Sequence, residues 1–421
     1  MRRLVSPLLF AVFAGFCIQP ARAQLPVTTL PADAAPDTPG WHEKSIDHDG
    51  LTRWFLVYLP EDMPARAPAV VLLHGGTGGM RAIFNDNQST TREWPYLAER
   101  EKFILIVPNG VNPDTGDTTG DQQNWNDLRE PGSDRDSDAD DVGFLRKLVN
   151  HAVTGLNADP LRVYFTGSSN GGTMTMRRAM EAAGRIAAAA IAISNLPEYD
   201  GFYSEPARPV PFMFCNGTED PLMTYEGSPG SLLSAATTAA WWIERNNASP
   251  TAAEDILLAD LDPSDDCLIR RRNHPALPGG APVAILTVEG GGHVTPSINH
   301  HIPQTTLILR LIGRQCHDVE TAEVQWEFLS RFSVALAPRL DVAPSPSAPA
   351  GTTAFQLKLS GGHPGGHAVL ESSARPGASA WTEIDAVTLD DLGAATIEWL
   401  PQSGPAAFVR AGSHPQDDSA P

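Results

Sequence analysis

Cysteine is scarce in this chain: four residues in 421. That excludes a small disulfide-knit scaffold, in which a dense cysteine framework replaces a hydrophobic core. Basic side chains are also short, 30 Lys and Arg against 50 Asp and Glu, for a formal charge of −20. A balance of that sign excludes recognition of nucleic acid or anionic lipid through bulk charge, so neither nucleic acid nor a membrane is expected as a partner. Beyond the first two dozen residues, no apolar run is long enough to span a bilayer. No internal repeat stands out. Glycine and proline, at 36 and 37, are plentiful and imply many loops.

What is present at the start is an export leader. Arg2 and Arg3 supply positive charge, Leu4–Ile18 is a short apolar run, and Ala21-Arg22-Ala23 has the small-x-small form of a cleavage site. Cleavage is expected after Ala23, giving an exported protein, periplasmic or extracellular. Residues 1–23 hold three Arg and no acid, so their loss deepens the charge from −20 to −23. Cys215, Cys267 and Cys316 then remain. Cys215 sits in an apolar strand and reads as a buried thiol. Cys267 and Cys316 fall in loops and are candidates for one disulfide.

Residues 24–336 alternate short runs of Val, Ile, Leu and Phe with amphipathic stretches. Strands are expected within 44–60 and at 69–73, 103–107, 163–166, 186–194, 210–215 and 283–288. Helices are expected at 96–102, 140–156 with Asp140 and Asp141 at its cap, 173–183, 232–246 and 319–332. Continuous apolar strands separated by helices predict an α/β fold, a mainly parallel sheet covered on both faces. Residues 337–352, rich in Pro, Ala and Ser, read as a linker. Residues 353–412 show period-two alternation broken by Gly, Pro and Asp, which predicts a small all-β module. Residues 413–421 read as a polar tail.

The chemistry concentrates at Gly167-Ser168-Ser169-Asn170-Gly171, a G-x-S-x-G run between a strand and a helix. A serine hydroxyl needs a base within hydrogen-bond reach, and the base needs an anion to orient it. Asp220 and His293 follow in the order serine, acid, histidine, each just beyond an apolar strand. Glu219 competes with Asp220 for the acid role. Three glycines before His293 let its backbone press closely against a neighbour. The N–H of Asn170, next to the nucleophile, is one candidate oxyanion donor. The second is the N–H of Gly76 in the turn after His74, with Thr77 as the alternative. That turn lacks the Lys-Ser/Thr ending of a phosphate loop. Thr77 and Trp125 are candidates for the cleft wall, and Trp125 reads equally well as an aromatic packed on the core. Acids alternate from Asp134 to Asp140, but Ala139 and Leu145 stand where an EF-hand needs Gly and Glu, so no metal is expected.

Several segments carry a resemblance: Leu73-His74-Gly75-Gly76, Val107-Pro108-Asn109-Gly110, Asp140-Asp141-Val142-Gly143-Phe144, the nucleophile run, Asn216-Gly217-Thr218-Glu219-Asp220-Pro221, Trp242-Ile243-Glu244-Arg245-Asn246, Gly290-Gly291-Gly292-His293 and Ala322–Phe328. In this order and spacing, residues 44–332 resemble the extracellular polyhydroxybutyrate depolymerase and feruloyl esterase group of α/β-hydrolases. The resemblance implies ester hydrolysis by Ser169, Asp220 and His293, without a metal or organic cofactor. Two departures touch the cleft or its bracing. Val294-Thr295-Pro296 stands where many members have Trp-Pro, and Asn247-Ala248 where many have a cysteine. The expected partner is an ester substrate, polymeric or not: a polyester or an acylated polysaccharide. Two other readings fit the same residues. One is a serine peptidase of prolyl oligopeptidase type, although no propeller-like repeat precedes the unit. The other is a non-catalytic polymer-binding protein on a hydrolase scaffold. Oligomeric state is not legible.

Overall fold

The computed structural model describes residues 38–85, 89–129, 137–199, 201, 203–334, 339–345, 355–360, 367–373, 382–388, 395–399 and 408–413. The leader, the body of the tail and Asp134–Asp136 lie outside these residues.

Ten strands form one sheet: β1 (Gly40–His48), β2 (Leu51–Leu59), β3 (Ala67–Leu73), β4 (Ile104–Pro108), β5 (Ala158–Ser168), β6 (Ala188–Ala192), β7 (Phe212–Gly217), β8 (Glu254–Leu257), β9 (Leu268–His274) and β10 (Val283–Glu289). Their order is β1-β2-β4-β3-β5-β6-β7-β10-β9-β8. The six strands from β4 to β10 in this order pair in parallel, with antiparallel pairs at each edge. Every residue of β3, β4, β6 and β7 is buried. A strand covered on both faces has no reason to alternate, which is why these segments read as unbroken apolar runs.

Among the described residues, seven α-helices complete the unit: α1 (Ala82–Asn85), α2 (Glu93–Glu101), α3 (Asp141–Gly155), α4 (Asn170–Glu181), α5 (Ala235–Arg245), α6 (Thr306–Ile312) and α7 (Thr321–Leu329). Successive strand residues point to opposite faces, so β3 sends Val71 and Leu73 into one core and Val70 and Leu72 into the other. The first core takes Phe144 of α3, Met174 of α4 and Trp242 of α5. The second takes Trp94 of α2 and Trp326 of α7. Fully burying a side chain such as Phe144 or Phe165 stabilises the fold by roughly 1.5–3 kcal/mol. Helix α3 begins where Asp140 accepts the N–H of Gly143 at 2.9 Å, satisfying one orphan donor of its first turn. Sheet order and helix placement are those of the α/β-hydrolase fold.

Two expectations are corrected. The sequence suggested no strand between the tryptophan helix and Val283, yet β8 and β9 form a hairpin on β10. Strand β9 (LIRRRNH) looks polar because its arginines pair across the edge, Arg270 with Asp255 and Glu289 and Arg271 with Glu254, each at 3.1 Å. Charge along an edge strand discourages pairing with other chains. The expected linker also contains a strand. Arg339–Pro344 (β11) pairs antiparallel with Phe355–Ser360 (β12).

With His367–Ser373 (β13), Thr382–Thr388 (β14), Ala395–Trp399 (β15) and Phe408–Ser413 (β16), the C-terminal strands make two three-stranded sheets, β11-β12-β15 and β14-β13-β16. Leu357, Leu359 and Leu370 form their small core. Among the described residues, no helix is long and apolar enough to cross a membrane.

Candidate active site

The parallel strands end at one edge of the sheet, and the residues singled out from the sequence sit in the loops there: His74 after β3, Ser169 after β5, Asp220 after β7 and His293 after β10. Ser169 stands between β5 and α4 with φ 54° and ψ −127°, outside the ordinary regions for a side-chain-bearing residue. Neighbouring glycines permit the turn. A Cβ at Gly171 would lie 2.3 Å from the carbonyl oxygen of His74, and one at Gly172 would lie 2.7 Å from Cβ of Ser194. The helix therefore begins at Asn170, three residues earlier than the sequence suggested, and its first amides point to the site. Strain of this kind, over-determined by its surroundings, is characteristic of a functional turn.

The three candidate catalytic side chains meet. His293 Nε2 lies 3.0 Å from Ser169 Oγ, across 124 positions of chain. His293 Nδ1 lies 2.8 Å from Asp220 Oδ2. The Asp220 carboxylate is buried, with its side chain 1% exposed, and Oδ1 accepts the N–H groups of Leu222 and Met223 at 2.8 Å each. With Oδ2 of Asp220 accepting from Nδ1–H of His293, Nε2 is free to accept from the Ser169 hydroxyl. Glu219 is excluded as the acid: its side chain is 63% exposed and its nearest ionic partner is Arg314, 3.9 Å away.

His293 is set by its backbone. Its N–H donates to the carbonyl of Ile312, and the N–H of Gly292 donates to Arg314 at 2.8 Å. Below this loop, Ser297 Oγ donates to Glu320 at 2.7 Å, Asn299 N–H donates to the same carboxyl oxygen at 3.2 Å, and His300 lies 3.3 Å from Glu93. Burial, reinforced by the charge of Glu93, pushes the Glu320 carboxyl up to about 7 despite the Ser297 hydrogen bond. Nothing local in the sequence signals this buried acid pair, because Glu93 and Glu320 are brought together only by the packing of α2 against α7.

The two candidate oxyanion donors lie in neighbouring segments. A Cβ at Gly76 would lie 3.4 Å from Cβ of Asn170. Among the described contacts, no acceptor takes the amide of Gly76 or of Asn170. Thr77 is removed as a donor: its N–H donates to Asn124 Oδ1 at 2.6 Å, and its hydroxyl to the Gly76 carbonyl at 2.7 Å. It stands exposed beside Gly76 with φ 54°.

Trp125 is corrected. It is fully buried, and its indole N–H donates to the carbonyl of His74 at 2.9 Å. It packs under the candidate oxyanion turn and has no exposed surface to offer a cleft. His74 braces the same turn. Nε2 accepts the N–H of Gly110 at 3.0 Å, so Nδ1 carries the proton and donates to the Gly75 carbonyl at 2.7 Å. Burial lowers its pKa to about 4, which keeps the ring neutral.

Three polar side-chain contacts around Ser169 were not legible in sequence. Asn170 Nδ2 donates to Asp127 at 2.6 Å, fixing the loop that carries Trp125. Ser194 Oγ donates to the carbonyl of Ser169 at 3.0 Å. Asn216 Oδ1 accepts the N–H of Ser194 at 3.0 Å. Arg53 and Asp141, both buried, pair at 2.6 Å, and Asp141 also accepts the N–H of Asn126 at 2.7 Å.

Among the described residues, Cys215, Cys267 and Cys316 are buried thiols. Burial pushes Cys215 up to about 12, as suits an inert thiol inside β7. Cys267 and Cys316 are brought side by side but are not bonded in this structure. Contact with Cys267, and then burial, raises the pKa of Cys316.

Comparison with known proteins finds the chain similar to parts of several esterases. It is 29% identical over 167 residues to feruloyl esterase B of Piromyces equi, covering 37% of this chain and 29% of that one. It is 30% identical over 183 residues to the bifunctional acetylxylan esterase/xylanase XynS20E of Neocallimastix patriciarum, covering 44% and 24%. Against the poly(3-hydroxybutyrate) depolymerase of Ralstonia pickettii it is 29% identical over 161 residues, covering 35% and 31%. The chain thus spans under a third of the length of each of these relatives. No family model matches it.

Proposed function

We propose that the protein is a serine esterase that works through a covalent acyl-enzyme. The observation that carries this reading is the continuous hydrogen-bonded chain from Ser169 through His293 to Asp220, set beside two amides that take no acceptor among the described residues. His293 Nε2 takes the hydroxyl proton as Ser169 Oγ attacks the ester carbonyl. Asp220 holds the imidazole in the required tautomer and offsets the charge it gains. The N–H groups of Gly76 and Asn170 receive the oxyanion. As the tetrahedral intermediate collapses, His293 returns the proton to the leaving alcohol and the acyl group stays on Ser169. A water then attacks with His293 again as base, releasing the acid and restoring the hydroxyl.

The substrate is an ester of a polyester or of an acylated polysaccharide, in line with the names of the similar proteins. The leader at residues 1–23 is read as directing export with cleavage after Ala23. Hydrolysis of a soluble p-nitrophenyl ester by wild type and by Ser169→Ala tests the proposal. Turnover in wild type and its loss in the variant is expected, and equal turnover in both overturns the mechanism.

A further inference from the structure

Helix α5 covers the sheet unevenly. In its second half Trp242 packs on Phe212 of β7, with ring centroids 4.2 Å apart. In its first half the residues facing the sheet are Ala235, Ala236, Ala239 and Ala240, which share one helix face at the i, i+1, i+4 and i+5 spacing. Alanine cannot fill the layer that tryptophan fills three residues later, and a cavity of about 150 Å³ is left between helix and sheet. A cavity of about this size holds a body of roughly six carbons.

Register sets the opposite wall. Phe214, Ile285 and Arg272 stand on one rung across β7, β10 and β9. Asn216 and Thr287, two residues on, form the next rung on the same face. Phe214, Ile285 and Ile243 of α5 make the body of the cavity apolar. Arg272, with its side chain 40% exposed, and the exposed Ala236 and Ala240 form its rim. Ser169, Asp220 and His293 do not line it, so it is separate from the candidate catalytic site.

The polar groups of the wall are not equally committed. Asn216 is fully engaged with Ser194 and Asn195 and offers nothing. Thr287 is 6% exposed, yet the one contact of its hydroxyl among the described residues is Tyr225 Oη at 3.4 Å, longer than an ordinary O–H···O bond. Both hydroxyls line the cavity with donor capacity to spare. Arg272 meets Asp255 only through Nε, at 3.4 Å, and its Nη groups make no hydrogen bond among the described residues. Asp255 has a closer partner in Arg270 at 3.1 Å. A guanidinium with its fork unused, on the same cavity as two underused hydroxyls, is the donor set for a carboxylate.

We propose that this cavity is a second binding site, for a short monocarboxylic acid. The apolar body lies along the alanines of α5, and the carboxylate accepts from Arg272 and from the Tyr225 and Thr287 hydroxyls. Ester hydrolysis releases an acid of this class. Identifying the ligand as the enzyme's own product rests on the esterase reading; the site itself does not.

The test uses the full chain with Ser169→Ala and hexanoate as the probe, read by isothermal titration calorimetry. Hexanoate should bind with a Kd of about 1 mM, an ordinary efficiency for so small a ligand. Neutral 1-hexanol should bind about tenfold more weakly. Arg272→Gln should weaken hexanoate about tenfold and leave hexanol unchanged. Ala239→Leu, which fills the cavity, should abolish binding of both, with thermal denaturation as the folding control. Thr287→Val is the second cavity variant and should weaken hexanoate severalfold.

An absence of binding well above that Kd means that the cavity takes only water and overturns the proposal. Hexanoate affinity unchanged in both Arg272→Gln and Ala239→Leu places the acid elsewhere, the candidate catalytic site included, and overturns it as well. Equal affinity for hexanol and hexanoate overturns the carboxylate assignment. Binding is read in a protein without the serine, so failure of wild type to cleave a soluble ester removes the product identification alone and is scored separately.

Discussion

Replacing Asp220 by Asn tests the geometry of the site at its least forgiving point. The substitution is isosteric, and its effect follows from which hydrogen bonds are already committed. Oδ1 of Asp220 accepts two backbone N–H groups, from Leu222 and Met223, each at 2.8 Å. Only an oxygen can accept them, so the new side-chain amide must keep its oxygen there and turn its NH2 toward His293. Nδ1 of His293 then has to accept rather than donate, which moves the imidazole proton to Nε2, the atom 3.0 Å from Ser169 Oγ. A protonated Nε2 cannot take the serine proton. The tautomer error should lower kcat by about 10⁴, which is on the order of 5 kcal/mol of transition-state stabilisation at about 1.36 kcal/mol per decade. KM should change little, because nothing that touches substrate has moved. Glu219→Gln is the control, with an exposed side chain and an expected change of no more than about twofold. A loss of less than about tenfold in Asp220→Asn with the fold intact would refute the argument, as would an equal loss in Glu219→Gln. Steady-state kinetics on a soluble ester, with thermal denaturation as the folding control, decides it.

Three further outcomes are expected. Arg53→Met should leave the Asp141 carboxylate buried without its cation and cost roughly 3–5 kcal/mol in a denaturant titration; a cost under about 1 kcal/mol would mean the pair is not closed. Glu320 has a raised folded pKa, so its contribution to stability is complete below the ordinary value of 4.5 and is lost as pH rises through about 7. The wild type should therefore lose stability between about pH 5 and 8 on a scale of a few kcal/mol at most. Glu320→Gln should flatten that stretch of the pH–stability curve, and an unchanged slope would contradict the assignment. Exposure to oxidant should join Cys267 to Cys316 and leave Cys215 free, read by alkylation and peptide mapping. Complete alkylation of Cys267 and Cys316 after oxidant would show that their contact does not close.

The parallel core was legible because burial on both faces leaves a run such as Ala67–Leu73 with no polar position to confuse it. The candidate nucleophile was legible because a strand, a tight glycine turn and a helix impose a local pattern. Asp220 and His293 could be named because each follows such a strand. What was not legible depended on contacts between segments far apart in the chain. Trp125 looks the same in sequence whether its indole faces solvent or the carbonyl of His74, 51 positions away. Asn124 eliminates Thr77 as an oxyanion donor through one hydrogen bond across 47 positions. The β8–β9 hairpin was hidden because its charges, matched across the strands, resemble a loop when read along one strand. The Glu93–Glu320 pair belongs to this class too, since neither residue carries a local signal of burial.

On the proposed mechanism, Ser169 becomes a nucleophile through His293. Treatment of the intact protein with a fluorophosphonate, followed by peptide mapping, tests it most directly. One adduct on Ser169 is expected in the wild type, with labelling slowed by several orders of magnitude in His293→Ala. An adduct on another serine, or labelling of Ser169 at the same rate without His293, would contradict the account.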